Sequence, residues 1–195
     1  LREAKLQSSW SAPNEAYENA AQAFTEKLLT GEEGELLRAA LSKTVNSIAA
    51  AGALNGLAQT LLRMTVPGVP DLYQGNEYWD FSLVDPDNRR PVDYAAREQA
   101  LQASVPGTEL LKDWRDGRIK QALISEVLNL RKEHGELFRR GDYQPLEVLG
   151  SQAHNVLAFA REHEGVRAIV VVPVRCATLL ENSAIPQVDA LRWGD

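Results

Sequence analysis

Cysteine is almost absent from this sequence, in which Cys176 is the only one among 195 residues. A single cysteine excludes an intrachain disulfide framework, and it favours a reducing compartment such as the cytoplasm. Because a lone cysteine in an apolar context usually fills a small gap in the core, we expect Cys176 to be buried rather than nucleophilic.

Long apolar runs, runs of positive charge and pairs of metal ligands are missing as well. No stretch approaches the roughly 20 apolar residues that a membrane-spanning helix needs. The net charge is −6 and no run of lysine or arginine occurs, so we expect neither nucleic acid nor a membrane as a partner. The histidines are scattered at His134, His154 and His163, which favours a protein without a metal or other cofactor.

What is present is typical of a globular protein with a core. Hydrophobic residues make up 44% of the chain and charged residues 25%, which are ordinary values that argue against disorder. The chain starts at Leu1 rather than at methionine and ends at Trp193-Gly194-Asp195 without a tapering tail. These ends predict a piece of a longer protein.

Residues 1–135 have the apolar spacing of helices. Apolar residues recur every three or four positions behind Asn14, and Gly31 is a typical helix end. Because glycine destabilises a helix, we expect Gly52 and Gly56 to pack closely against a neighbouring element. Helices are predicted over residues 17–28, 37–48, 54–62, 95–104, 108–114 and 119–130.

The C-terminal part of the chain has the pattern of strands. Residues 156–161 and 166–172 are rich in apolar and β-branched side chains, and residues 161–165 suit a hairpin connection between them. Residues 146–148 alternate in polarity and predict a further strand of the same sheet.

One more short buried strand is predicted inside the helical block, at residues 69–73. Pro70 stands near its start, where a missing N–H group is tolerated. The sequence therefore predicts an α+β fold, mainly helical over residues 1–135 and a small antiparallel β-domain over residues 136–195.

The segment from Thr65 to Asp93 has the densest mixture of polar and aromatic side chains. Carboxylates accept hydrogen bonds, arginines donate in a fork and aromatic rings offer flat faces, a combination suited to polyhydroxylated ligands such as sugars. Pro86 and Pro91 stiffen the segment and reduce the entropy lost on binding. The side chains concerned are Tyr78, Trp79, Asp80, Phe81, Asp85, Asp87, Arg89 and Arg90.

Carboxylates in this segment raise the question of catalysis. Cleavage of a glycosidic bond uses two carboxyl groups, one as acid and one as nucleophile or base. Glu77 follows the predicted strand, and Asp80 and Asp85 are near it in sequence. The competing interpretation, which we favour, is that Glu77 braces the loop.

Two motifs resemble the alpha-amylase superfamily, glycoside hydrolase family thirteen. The run PGVP at residues 67–70, followed by YQGNE at residues 73–77, is similar to the eighth strand of that family's (β/α)8 barrel. Asp71 and Gln74 differ from the residues that are common at these positions of the superfamily's motif. These two departures are similar to a trehalose-forming branch of the superfamily, as are two further segments of the sequence, SLVDPDNRRPVDY and the opening REAKLQSSWSAPNEAYE.

The resemblance implies an enzyme acting on a maltooligosaccharide. Its reaction converts the reducing-end α-1,4 bond to an α,α-1,1 bond by intramolecular transglycosylation, through a glycosyl-enzyme intermediate. In this family the nucleophile, the acid/base and a third carboxylate follow strands four, five and seven. The resemblance therefore implies that all three lie upstream of Leu1 and that this chain holds no catalytic residue.

The resemblance also implies a position for the chain in the parent fold. Residues 1–135 would be the last helices and strand eight of the barrel, and residues 136–195 the start of an incomplete β-sandwich domain. Tyr73 and Glu77 are expected to brace the loop. The residues expected to contact substrate are Gln74, Asn76, Asp85, Asn88, Arg89 and Arg90, with Lys5 and Trp10 as further candidates.

Two alternatives stay open at this point. The chain could be a stand-alone carbohydrate-binding module that uses Trp79 and Phe81 as an aromatic platform, or part of another superfamily member such as an α-glucosidase. If the chain is part of a barrel, of the trehalose-forming enzyme or of an α-glucosidase, strand eight would lack its neighbouring strands. Self-association through an open sheet edge is then expected.

Overall fold

A computed structural model describes residues 1–83, 89–181 and 183–194. The chain divides into two compact units, residues 1–48 and residues 49–195. The helices are Glu15–Thr30 (α1), Glu35–Thr65 (α2), Tyr94–Ala103 (α3), Gly107–Leu110 (α4), Arg118–Glu133 (α5) and Gly135–Arg140 (α6). The strands are Asp142–Pro145 (β1), Val156–His163 (β2) and Val166–Pro173 (β3), and short 3₁₀ turns lie at Arg2–Ala4, Glu32–Gly34, Trp114–Asp116, Ala153–Asn155 and Ala190–Trp193.

The first unit contains α1, which has the predicted ends. The Asn14 side chain accepts a hydrogen bond from the Tyr17 main-chain N–H at 3.2 Å, and the Gly31 N–H donates to Lys27. Before the helix, Arg2 donates two hydrogen bonds of 2.7 Å to Glu18. The Arg2 guanidinium, aided by the Ser8 hydroxyl, lowers the pKa of Glu18 to about 2.

The helix α2 joins two segments that the sequence predicts as separate helices. It runs without interruption for 31 residues, through both Gly52 and Gly56. A Cβ atom at Gly56 would lie 3.3 Å from the Trp79 ring, so the close packing predicted there is confirmed. The same prediction is wrong for Gly52, where a Cβ would meet no atom of the described residues within 4 Å.

The core of the second unit forms where α2 meets the sheet and α5. Phe159, Val170 and Val172 of the sheet pack against Ala58, and Met64 packs against α5. A third cluster lies near the C-terminus and consists of Cys176, Leu180 and Val188. The prediction that Cys176 is a buried core residue is confirmed, and burial raises the pKa of its thiol.

The sheet is antiparallel in the order β1-β2-β3. The predicted hairpin is confirmed, because β2 and β3 pair over their full length and are joined at Glu164 and Gly165. Both turn residues have positive φ, +47° and +82°, as a two-residue turn of matching twist requires.

Two predicted strands are wrong. The sheet's first strand is Asp142–Pro145 rather than residues 146–148, because only one further ladder bond, from Leu146 N–H to the Ala158 carbonyl, follows Pro145. Residues 69–73 form no strand, and Val69 is 96% exposed. A strand needs neighbours for its main-chain groups, and no strand of the described residues lies beside this segment.

The remaining helices follow the predicted pattern with one addition. Helices α3 and α5 lie where the apolar spacing places them, while residues 108–114 form only the short α4 and part of a 3₁₀ turn. The sequence interpretation missed α6, whose Leu137 and Phe138 are buried. The predicted α+β class, mainly helical with a small antiparallel sheet, is confirmed.

Candidate functional site

The polar loop, residues 74–83 and 89–93, borders a cleft of about 340 Å³ in the second unit. Its first arm, residues 74–83, follows the end of α2, and its second arm, residues 89–93, leads into α3. The structure therefore brings together side chains that are 16 or more positions apart in sequence. The lining includes Gln74, Trp79, Asp80, Phe81, Arg90 and Arg97.

The first arm opens with two tight turns. The Asn76 N–H donates to the Tyr73 carbonyl at 3.2 Å, and the Tyr78 N–H donates to the Gly75 carbonyl at 3.3 Å. Gln74 lies in the left-handed region with φ of +54°, which few residues other than glycine adopt. Its side-chain Nε2 donates to the Arg90 carbonyl at 3.0 Å, so Gln74 links the two arms directly.

Glu77 is tied to α3 by an ion pair that supports the loop. Its Oε2 accepts a hydrogen bond from Arg97 Nε at 3.1 Å, and the side chain is 27% exposed. The expectation that Glu77 braces the loop is confirmed. Tyr73 is 56% exposed, and its role as a brace stays a prediction.

Trp79 and Phe81 do not form a common aromatic platform. Trp79 is half-buried against Trp114, with ring centroids 6.3 Å apart at an interplanar angle of 80°, and its Nε1 donates to the Trp114 carbonyl at 2.6 Å. Phe81 is largely exposed. One ring is therefore held against Trp114 while the other is open to solvent, so the two rings do not offer one continuous flat face.

Two opposite charges lie at the first arm, with Asp80 in the arm itself and Lys120 on the neighbouring α5. The Ser82 hydroxyl and N–H donate to Asp80 Oδ1 at 2.6 and 2.8 Å, and these bonds lower the pKa of the carboxyl group. Lys120 Nζ donates to the Tyr78 carbonyl at 3.1 Å, while burial lowers the pKa of its amine. The sequence interpretation missed Lys120, because nothing in the spacing of α5 distinguishes this half-buried residue from an ordinary exposed lysine.

The remaining predicted contact residues fall in three places. Asn76 is half-buried in the first arm, and Arg89 and Arg90 are exposed in the second arm. Asp85 and Asn88 lie outside the described residues. The substrate contacts predicted for these six loop residues stay predictions.

Lys5 and Trp10 belong to the first unit. Lys5 ends the first 3₁₀ turn with φ of +54°. Trp10 Nε1 donates to the Glu3 carboxylate at 2.6 Å, and the Arg2 guanidinium lies 5.2 Å from the ring centroid. Their proposed contacts with substrate stay predictions as well.

The part of the chain that the structure describes holds neither a cluster of metal ligands nor a membrane-spanning helix. Among those residues, His, Cys, Asp and Glu side chains nowhere gather in a group of three or more that could hold a metal ion. None of the helices there combines the length and the apolar character needed to cross a membrane.

Comparisons with known proteins agree with the trehalose-forming resemblance. No family model matches the chain. The putative maltooligosyl trehalose synthases of two Mycobacterium tuberculosis strains, CDC 1551 / Oshkosh and H37Rv, are each 37% identical over 196 aligned residues. The match covers all of this chain, which spans about 23% of the length of these relatives.

Solved structures give the same result. A crystal structure of maltooligosyl trehalose synthase matches 88% of this chain with a TM-score of 0.72 at 31% identity, and the match covers 23% of that protein. A mutant of maltooligosyltrehalose synthase from Arthrobacter ramosus matches 91% of this chain with a TM-score of 0.69 at 36% identity, over 22% of its own length.

Proposed function

We propose that this chain is a C-terminal portion of a maltooligosyl trehalose synthase. The observation that carries the proposal is the 37% identity that extends over the whole chain. Such an enzyme would convert the reducing-end α-1,4 bond of a maltooligosaccharide to an α,α-1,1 bond, as an intramolecular transglycosylation in trehalose biosynthesis.

In this proposal residues 1–135 are the last part of a (β/α)8 barrel and residues 136–195 begin a β-domain. The exposure of the first unit supports the proposal that it packs against a further part of the parent. The structure describes all of residues 1–48, and none of their apolar side chains is buried. Leu37, Leu41 and Ile48 follow one face of α2 and are 43%, 48% and 60% exposed. Helices in proteins gain most of their stability from packing of such an apolar face rather than from intrinsic propensity.

The exposed segment at residues 69–73 supports the same arrangement. Its resemblance to strand eight is carried by its sequence, whereas its main chain forms no strand among the described residues. A central barrel strand pairs with a neighbour on each side, and both neighbours would belong to the preceding part of the parent. The segment should become a strand only when that part is present.

The role proposed for the polar loop is to hold the sugar while chemistry occurs on carboxylates supplied upstream. Gln74, Asn76, Asp85, Asn88, Arg89 and Arg90 would form the substrate contacts. In such a reaction the released glucose must turn over and attack through its anomeric hydroxyl without escaping. A loop that retains this sugar and excludes water favours transfer over hydrolysis.

Product analysis tests this function. The complete polypeptide that contains this chain, incubated with maltopentaose, should yield a non-reducing product of unchanged mass. An α-glucosidase would instead release glucose and shorten the chain. Release of glucose without a non-reducing product would therefore contradict the proposal and favour the glucosidase alternative.

The contact residues lead to a separate prediction for Arg89. In the complete polypeptide, Arg89→Ala should lower the rate of trehalose-bond formation about tenfold or more, because a hydrogen bond from a charged group is worth ~1.5–3 kcal/mol. Kinetics and thermal unfolding should be measured together. Arg139→Ala is the control, since Arg139 is an exposed arginine on α6 paired with Glu136. Equal losses of activity and stability in Arg89→Ala would make Arg89 a structural residue.

Location and self-association are further proposals. The single cysteine supports a cytoplasmic location. Self-association of the isolated chain is supported by β3, whose Ile169 and Val171 are 61% and 57% exposed. An apolar edge strand is a known template for pairing with a second chain, and light scattering of the isolated chain would detect it.

A further inference from the structure

We infer that Arg97 is a positioning residue that fixes the distance between the two arms of the polar loop and thereby sets the geometry of the sugar contacts. This inference rests on the proposed function, since it assumes that the loop binds a maltooligosaccharide. Arg97 lies on α3, four residues beyond the end of the second arm. It is absent from the set of predicted contacts, because its sequence context is that of an ordinary polar helix position.

The guanidinium of Arg97 donates to acceptors on both arms. On the first arm, Nη2 donates to the Gly75 carbonyl at 2.7 Å and Nε donates to Glu77 Oε2 at 3.1 Å. On the second arm, Nη1 donates to the Asp93 carbonyl at 2.9 Å. A single planar group therefore joins residues 18 positions apart, and only a forked side chain can make all three bonds.

Packing around the guanidinium reinforces this link. The Arg97 Cζ atom lies 4.5 Å from the centroid of the Tyr78 ring, a cation–π contact on the first arm. A Cβ atom at Gly75 would lie 2.9 Å from Val92 of the second arm and 3.0 Å from Arg97 Nη2. The two arms are thus in contact at Gly75, which also needs its positive φ of +80°.

The arginine itself is held by rigid elements. Asp93 caps α3 by accepting a hydrogen bond from the Ala96 N–H at 2.9 Å. The main-chain carbonyl of Arg97 accepts a hydrogen bond at 3.0 Å from Nε2 of Gln121, a buried residue of α5. Because Arg97 is anchored between α3 and α5, the position of both arms is determined by the helical core.

Loss of the guanidinium should release the arms without unfolding the core. Glu77 would lose its ion pair, and the Gly75 and Asp93 carbonyls would lose a common donor. The direct link from Gln74 to the Arg90 carbonyl would remain, so the loop should loosen rather than detach. Arg97 contacts no reacting atom in this scheme, and its role is to place the residues that do.

Kinetics of the complete polypeptide on maltopentaose test the role in sugar binding. Arg97→Met should raise KM about tenfold, equivalent to ~1.4 kcal/mol of binding free energy, while kcat changes by less than about twofold. Arg97→Lys should recover only part of the loss, because a single ammonium cannot replace the fork. Arg139→Met is the matched control and should leave both constants unchanged.

Trypsin provides a readout that does not depend on sugar. It cleaves after arginine but poorly before proline, so Arg89 is a cleavable position in the second arm while Arg90, which precedes Pro91, is protected. In this chain, Arg97→Met should speed cleavage after Arg89 several-fold relative to wild type and to Arg139→Met, because local opening exposes the loop.

The two readouts separate the possible failures. An active wild type with unchanged KM in Arg97→Met would overturn the inference while leaving the proposed function intact. A wild type that makes no non-reducing product would overturn the proposed function, and with it the role of Arg97 in sugar binding. Unchanged cleavage after Arg89 would contradict the proposal that Arg97 holds the two arms together, whatever the loop binds.

Discussion

Replacing Arg161 with methionine should lower the free energy of unfolding of this chain by ~3 kcal/mol or more, the largest loss that we expect from removing a polar group. Arg161 is 1% exposed and lies near the end of β2. Urea unfolding followed by circular dichroism would measure the change, provided that the dependence on urea concentration stays the same.

The reason is that the Arg161 guanidinium satisfies main-chain carbonyl groups from three elements. It donates to Thr65 at the end of α2 at 2.9 Å, and to Gly141 and Asp142 around the start of β1 at 2.8 and 3.1 Å. Phe138 in the last turn of α6 accepts a further bond at 3.2 Å. Both helices direct the negative ends of their dipoles at this cation.

Burial makes these carbonyl groups costly to leave unpaired. Each buried acceptor that loses its donor is destabilising by ~1–3 kcal/mol, and methionine offers no donor in return. Burial, reinforced by nearby Arg131, lowers the pKa of Arg161. The carbonyl groups compensate for this by solvating the charge in place of water.

Two further variants isolate this effect. Arg167→Met removes an arginine from β3 that pairs with Glu162 at an exposed position, and it should cost less than about 1 kcal/mol. Arg161→Lys keeps the charge but not the fork, so it should fall between wild type and Arg161→Met. If the two methionine variants lose equal stability, the network around Arg161 contributes nothing beyond an ordinary surface ion pair.

Arg161 also illustrates what the sequence could predict and what it could not. The strand β2 and its hairpin with β3 follow from β-branched and apolar residues on either side of Glu164-Gly165, because this pattern depends on neighbours in sequence. The role of Arg161 depends on Thr65, which is 96 positions away. In sequence, an arginine before a glutamate at the end of a strand is typical of an exposed hairpin.

The strand wrongly predicted at residues 69–73 shows that a correct local pattern is not sufficient to form an element. Its apolar residues and its resemblance to a barrel strand are local properties of the sequence. A strand, however, is stabilised by main-chain partners, and these are not among the described residues. The polar loop is predictable from local composition in the same way, whereas its support by Arg97 and Lys120 requires that α3 and α5 fold beside it.

Trp114→Ala should destabilise the second unit by ~3–5 kcal/mol, the range typical of removing a buried large aromatic side chain. Trp114 is 7% exposed, and its ring packs edge-to-face with the ring of Trp79. Its Nε1 donates to the Ala184 carbonyl at 3.0 Å, which ties the C-terminal segment to the start of α5. Urea unfolding would measure the loss of stability.

Control variants separate the ring from its hydrogen bond. Trp114→Phe keeps most of the packing and removes the bond to Ala184, so it should cost about 1 kcal/mol. Trp10→Ala removes an exposed tryptophan of the first unit and should change stability by less than about 0.5 kcal/mol. A loss in Trp114→Ala no greater than in Trp10→Ala would contradict the assignment of Trp114 to the core.

The polar loop should respond differently to Trp114→Ala and to Arg97→Met. Trp79 donates its hydrogen bond to the main-chain carbonyl of residue 114, and this acceptor survives any side-chain substitution. Trp114→Ala should therefore lower global stability while the first arm keeps its anchor, whereas Arg97→Met should loosen both arms with little change in global stability. If cleavage after Arg89 rises in strict proportion to global unfolding in both variants, the loop has no local support of its own.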